Sequence, residues 1–147
     1  MAFKVSTGLR NHMLASGSFK GAMDGCFLKL YAGAVPESAD ADLGAATLLV
    51  TISVSASGTG LSFSATPANG VLSKAAGEPW QGVVANSGTA AFFRLETAAD
   101  TGGASSTEHR VQGSVGMVAA DLNLSNTSLL ATAVQTINHF NVALPSL

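Results

Sequence analysis

Residues 48–66, LLVTISVSASGTGLSFSAT, decide how the chain is read. Leu48, Val50, Ile52 and Val54 alternate with Leu49, Thr51, Ser53 and Ser55, the pattern of a half-buried antiparallel strand. Ser57-Gly58-Thr59-Gly60 then reads as a tight turn, because glycine supplies the positive φ that such turns require. Beyond it Leu61, Phe63 and Ala65 alternate with Ser62, Ser64 and Thr66. The stretch predicts a β-hairpin.

The same period of two recurs on both sides. Upstream, Leu28 and Leu30 share one face of Phe27–Tyr31 and Lys29 takes the other. Downstream, Val71-Leu72 and Trp80–Val84 read as short strands. Thr89–Thr97 places Ala91, Phe93 and Leu95 inward and Phe92, Arg94 and Glu96 on the other face, with Phe92 exposed or turned to an interface. His109–Val115 puts Val111 and Val115 inward and Arg110, Gln112 and Ser114 outward, and Leu122 and Leu124 alternate with Asp121 and Asn123. A last strand over 134–144 needs a bulge near Asn138-His139, or is two-sided, because Ile137 is out of phase with Phe140, Val142 and Leu144. Between these lie an acidic, solvated loop around Pro36–Asp42 and a Gly/Ser/Thr-rich mobile loop over Asp100–Thr107. Short, regularly spaced strands without helical crossovers predict an all-β, two-sheet sandwich of jelly-roll or immunoglobulin-like type over residues 26–147.

Composition narrows the function classes. The 147 residues are 47% hydrophobic and only 11% charged, against about 25% charged in an average globular protein. Mean hydropathy is +0.36, yet Ser, Thr and Gly interrupt every apolar run well short of the ~20 residues of a membrane span, so no membrane partner is expected. A net charge of −2 and an isoelectric point near 5.8 argue against nucleic acid as the main ligand. The single cysteine, Cys26, excludes an intrachain disulfide and reads as a buried thiol. The first residues lack the apolar run of an export signal, so synthesis in a reducing cytoplasm is expected.

Nothing in the chain spells catalysis, a cofactor or a metal. His12, His109 and His139 have no ligand spacing with one another or with carboxylates. His109, Asp100 and Ser105 or Ser106 lack a nucleophile elbow and share one loop, so a polar loop is the simpler reading. Glu37, Asp40 and Asp42 do not follow a calcium-loop pattern. Trp80 and Tyr31 are the two rings suited to a sugar platform, with Trp80 read rather as part of a packed edge.

Residues 1–25 differ from the rest and read as a short, partly helical arm. Ser6 or Thr7 can cap a helix carrying Leu9, Met13 and Leu14, and Ser18 a second turn carrying Phe19, Ala22 and Met23. Gly8, Gly17 and Gly21 each cost about 1 kcal/mol relative to Ala in a helix, so the arm needs a surface to lie on, either its own β-domain or a neighbour's. Val5, Leu9, Met13, Leu14 and Phe19 are expected to anchor at least partly on a neighbouring subunit while Arg10, Lys20 and Lys4 meet its acidic rim. Deleting residues 1–17 is then expected to leave a folded domain that binds its partner poorly.

The opening MAFKVSTGLRNHML, Phe27-Leu-Lys-Leu-Tyr-Ala-Gly33 with Pro36, Gly58-Thr-Gly-Leu-Ser-Phe63, Phe92-Phe-Arg-Leu95 and the ending Val142-Ala-Leu-Pro145 resemble small proteins encoded among the structural genes of tailed bacteriophages. Within that group the chain is most similar to capsid cement or decoration proteins with a jelly-roll-like fold. The resemblance implies a non-enzymatic virion protein on the capsid exterior, with the major capsid protein of the same phage as partner. A homo-oligomer, with a dimer favoured, fits such a role. A tail, neck or fibre-associated structural role and a sugar-binding adhesion module are the alternatives. The resemblance transfers no individual functional residue.

Overall fold

The computed structural model describes residues 3–144. Met1, Ala2 and Pro145–Leu147, parts of the opening and ending quoted above, lie outside the described residues. In chain order the elements are β1 (Lys4–Val5), α1 (Thr7–Ala15), α2 (Phe19–Met23), β2 (Phe27–Ala32), β3 (Thr47–Val54), β4 (Val71–Ser73) and β5 (Trp80–Val83). They continue with β6 (Gly88–Thr89), β7 (Phe92–Glu96), β8 (Arg110–Gly116), β9 (Leu122–Asn123), β10 (Ser128–Leu129), β11 (Val134–Ile137) and β12 (Asn141–Ala143). The protein is all-β and sandwich-like, as the alternation predicts.

One large antiparallel sheet runs β1-β8-β7-β2-β3-β5-β11, and β9 adds to β8 in parallel. Two small pairs, β12-β4 and β10-β6, complete the architecture. Alternation sends Leu28, Leu30, Phe93, Leu95, Val111 and Val115 to one face of the large sheet, and all six are buried. Aromatic rings join the small β12-β4 pair to that face. Phe140, just ahead of β12, lies 5.5 Å from the Trp80 ring and 5.8 Å from that of Phe93, and Phe63 stands edge-on to Trp80 at 5.6 Å. Burying each such side chain contributes about 1.5–3 kcal/mol.

Three local expectations are corrected. Leu61–Thr66 does not form the second arm of a hairpin with β3. Ser55 and Ala56 adopt φ of 53° and 56°, and after one bridge from Val54 to Thr59 the chain crosses to Cys26 and Lys74, through Leu61 and Phe63. Gly60 passes so close to Gly25 that a Cβ would sit 2.3 Å from its carbonyl oxygen, so only glycine allows the crossing. β5 takes the vacated place, pairing Gln81 with Ser53 and Trp80 with Val54.

Leu49, placed outward by strict alternation, is fully buried. Leu30 pairs with Val50 but Tyr31 with Leu48, so Leu49 is the extra residue of a bulge that turns two consecutive side chains inward. The expected final strand is divided. β11 pairs with β5 and β12 with β4, and Asn138–Phe140 is the corner between them.

Candidate interaction surface

The arm is built into the body from its first turn. Ser6 caps α1, its Oγ accepting from the Leu9 N–H at 3.2 Å. The same Oγ donates to the Glu108 carbonyl at 2.7 Å and accepts from the Arg110 N–H at 2.9 Å, which ties the helix start to β8. Thr7 donates from its N–H (2.8 Å) and its hydroxyl (2.6 Å) to the Asp40 carboxylate. Gly8 lies against the backbone of Thr107, where a Cβ would be 2.3 Å from the carbonyl oxygen. This close seat drives Leu9 to complete burial.

The seven residues expected to bind a partner therefore divide. Leu9 is consumed by the chain's own core, and its assignment as an intermolecular anchor is corrected. Val5 sits in β1 opposite Val111, and with Met13 and Phe19 it packs half-buried against that core. Phe19 also meets Phe63 edge-on at 5.7 Å. Lys20 pairs with Asp24 and reaches the Phe63 carbonyl at 3.3 Å. Leu14 stays 86% exposed, and Arg10 is exposed with one bond to Thr7 Oγ1. Leu9 and Met23 share one core with the strands, so residues 1–25 and 26–147 are not separate packing units. The truncation expected to leave a folded domain would open that core.

Between the arm and the β12-β4 pair runs an apolar groove of about 560 Å³, lined chiefly by Val5, Met13, Phe19, Leu72, Val142 and Leu144. Phe3 stands at its rim, 38% exposed. Such a trough can take an apolar side chain or chain segment. Its polar side chains are Ser18, which caps α2, and Lys20, which is paired with Asp24.

The opposite face of the large sheet holds what sequence reasoning missed. Lys29, Arg94, Gln112 and Lys4 lie in one cross-strand row and Glu96 and Arg110 in the next. Instead of pointing into solvent, Arg94, Glu96, Arg110 and Gln112 are buried, and Phe92 is buried by stacking on Tyr31 at 5.0 Å. Two loops cover them. Arg110 forms a two-pronged pair with Asp100 (2.5 and 2.7 Å) and donates to the carbonyls of Ala39 and Gly103. Arg94 donates to Gln112 Oε1 at 2.9 Å and to the Ala41 carbonyl at 2.7 Å, and Gln112 donates to the Pro36 carbonyl at 2.8 Å. Lys29 pairs with Glu96 at 2.5 Å. The acidic and glycine-rich loops, expected to be solvated and mobile, are thus fastened through backbone carbonyls.

The electrostatics follow from this burial. Desolvation alone would raise the Asp100 carboxyl, but Arg110 and the Gly102 N–H outweigh it and hold the group below its ordinary value. Desolvation dominates at Glu96 and raises it despite Lys29. Burial and the neighbouring Arg110 lower Arg94, whose Nη1, like Glu96 Oε2, has no hydrogen-bond partner. These groups hold loops in place; they present no reacting atom to a cleft.

The remaining sequence candidates are not assembled. Asp100 is committed to Arg110, while the His109 ring packs 4.9 Å from that of His12, so His109, Asp100 and a loop serine form no relay. Asp40 serves Thr7 and Asp42 bonds the Gly44 N–H, and among the described residues no group of three His, Cys, Asp or Glu is gathered as for a metal. Trp80 and Tyr31 are both buried and give no sugar platform. Cys26 is buried, and desolvation pushes its thiol well up. Comparisons with protein-family models, with curated proteins and with solved structures each return no match.

Proposed function

We propose that the protein is a non-enzymatic virion structural protein of a tailed bacteriophage, a cement or decoration protein that sits on the capsid exterior and binds the major capsid protein. The observation that carries this reading is the pairing of a stiff β-body with an arm whose outer side stays open. Leu14 and Arg10 are exposed on α1, while Met13, on the same helix, lines the apolar groove. The motif resemblance points to the virion. A cement protein needs several modest contacts on one rigid body, because each further contact then becomes intramolecular and raises avidity. A homo-oligomer multiplies those contacts further.

The direct experiment adds purified protein to shells that lack it and images them. Occupancy of regular lattice sites is the expected result, and failure to occupy them rejects the assignment. Copy number relative to the major capsid protein separates a shell role from a tail or neck role, since a cement protein accompanies the shell subunit throughout the lattice.

A further inference from the structure

The large sheet ends at β11, whose outer edge has no partner strand among the described residues. The Val84 N–H donates to the Ala133 carbonyl at 2.8 Å. With Val134 opposite Val83, this bond makes 134/83 and 136/81 the non-hydrogen-bonded pairs of the ladder. The N–H and C=O groups of Val134 and Thr136 therefore point away from β5, out of the sheet. Across a cleft of about 210 Å³ Asn123–Ser125 face Gln135–His139 without forming a strand on them, and the Gln135 Nε2 donates to the Thr136 carbonyl at 3.0 Å, an oxygen that keeps a second lone pair.

The side chains around this edge are as open as its backbone. Val134 is 60% exposed, its cross-strand neighbour Val83 54%, and Leu130, in the turn leading into β11, 67%. Soluble proteins protect such edges with charge, proline or a covering element. The opposite edge strand, β1, carries Lys4, but Leu122 to Leu144 contains no Asp, Glu, Lys or Arg and no Pro.

We infer that β11 is the contact strand of a two-fold dimer, its occupant a second copy of this chain paired antiparallel through the same strand. Self-pairing suits an uncharged edge, since a two-fold axis sets like groups near one another and here there is no charge to repel. A charged partner would find no counter-charge. The register follows from the outward groups. An axis through Gln135 sets Val134 opposite the partner's Thr136 as a hydrogen-bonded pair, and its symmetry mate likewise, giving four inter-chain bonds and covering each exposed Val134 with the partner strand. Such a contact is isologous and closed, so it ends at the dimer. A four-residue strand with three apolar neighbours falls short of the ~800 Å² per partner of a standard interface, so the dimer dissociates on dilution. The inference deepens the oligomeric part of the reading above, and its test uses no shell, so either can fail alone.

Sedimentation equilibrium of the full chain over a wide concentration range is expected to show reversible association to twice 14.7 kDa. Val134→Lys, on an exposed position, is expected to weaken it at least tenfold, and Leu14→Lys to leave it unchanged. A second variant guards against loss of fold. Gln135→Cys faces its own copy across the axis in a non-hydrogen-bonded pair, where Cα atoms lie about 4.5 Å apart, within disulfide reach. It is expected to form a cross-linked dimer on mild oxidation, and Leu14→Cys is not. A chain that stays monomeric throughout overturns the inference. So does a dimer that survives Val134→Lys and resists cross-linking at position 135, or one abolished by Leu14→Lys.

Discussion

The two faces of the large sheet are made by the same strands and buried to the same degree, with opposite chemistry. On one face Leu28, Leu30, Phe93, Leu95 and Val111 meet the aromatic cluster. On the other, Arg94, Glu96, Arg110 and Gln112 meet two loops. The apolar face gains stability in proportion to area and without direction. The ionic face gains little net energy for its desolvation, and losing one partner leaves a buried charge exposed to the full cost. What it supplies is position, because each guanidinium and amide selects particular carbonyls. One face holds the fold together and the other shapes the surface formed by its loops.

The arm joins both faces, so removing it should test them together. Leu9 feeds the apolar core, while Ser6 and Thr7 hold the Arg110 backbone and Asp40 on the ionic side. Deletion of residues 1–17 is expected to abolish the cooperative thermal transition and the near-ultraviolet dichroism. A truncated protein that still melts cooperatively would show that the strands close without the arm.

Single substitutions then separate the faces. Phe93→Ala is expected to lower unfolding free energy in urea by about 4 kcal/mol, through lost burial and the cavity left beside Phe140 and Gly113. Asp100→Asn is expected to cost about 3 kcal/mol by stranding Arg110, and to raise hydrogen exchange first in the two loops. Equal exchange across the whole molecule would mean that the ionic face is part of the general core.

The apolar face was legible in the sequence and the ionic face was not, for a physical reason. Alternation assigns a residue to one side of a strand, and by default the polar side is taken to be the solvent side. That holds for Leu28, Leu30, Phe93 and Leu95. It fails for Arg94 and Arg110, because burial of the second face depends on loops whose course no periodicity encodes. The register that sets Glu96 beside Arg110 depends on which strands are neighbours, and β8 follows β7 only after the loop that supplies Asp100. A hint was present: in a chain only 11% charged, arginine and glutamate cluster on one side of two strands. The caps at Ser6 and Ser18 were legible because capping is local. The fate of Leu61–Thr66 was not, because two left-handed residues outside glycine, Ser55 and Ala56, redirect the chain.

Acid titration should sharpen the contrast within the ionic face itself. Glu96 is raised above its ordinary 4.5 in the fold. Its ionised form therefore weighs against folding above that pH, and the penalty is relieved as pH falls through the folded value. Asp100 is held below its ordinary 3.8, so its contribution is present above that pH and lost as pH falls through the folded value. Melting temperature corrected for the remaining carboxyls is expected to rise slightly on acidification and then fall below about pH 4. Glu96→Gln should remove the rise and Asp100→Asn should flatten the fall. A rise that persists in Glu96→Gln would place the titrating group elsewhere.

The smallest effect on stability is expected where the proposed function is most exposed. Leu14 stands 86% open on α1, five residues beyond the Leu9 that the core consumes and on the other side of the helix. Leu14→Lys should change unfolding free energy by no more than about 0.5 kcal/mol, as surface substitutions do, whereas Leu9→Ala on the same helix should cost about 2–5 kcal/mol. Shell occupancy should follow the opposite order once both proteins are folded: lowered by Leu14→Lys, little changed by Leu9→Ala at a temperature where it remains native. Equal occupancy for Leu14→Lys and the parent would move the shell contact away from the outer side of the arm. The apolar groove beside Met13 would then be the surface to vary.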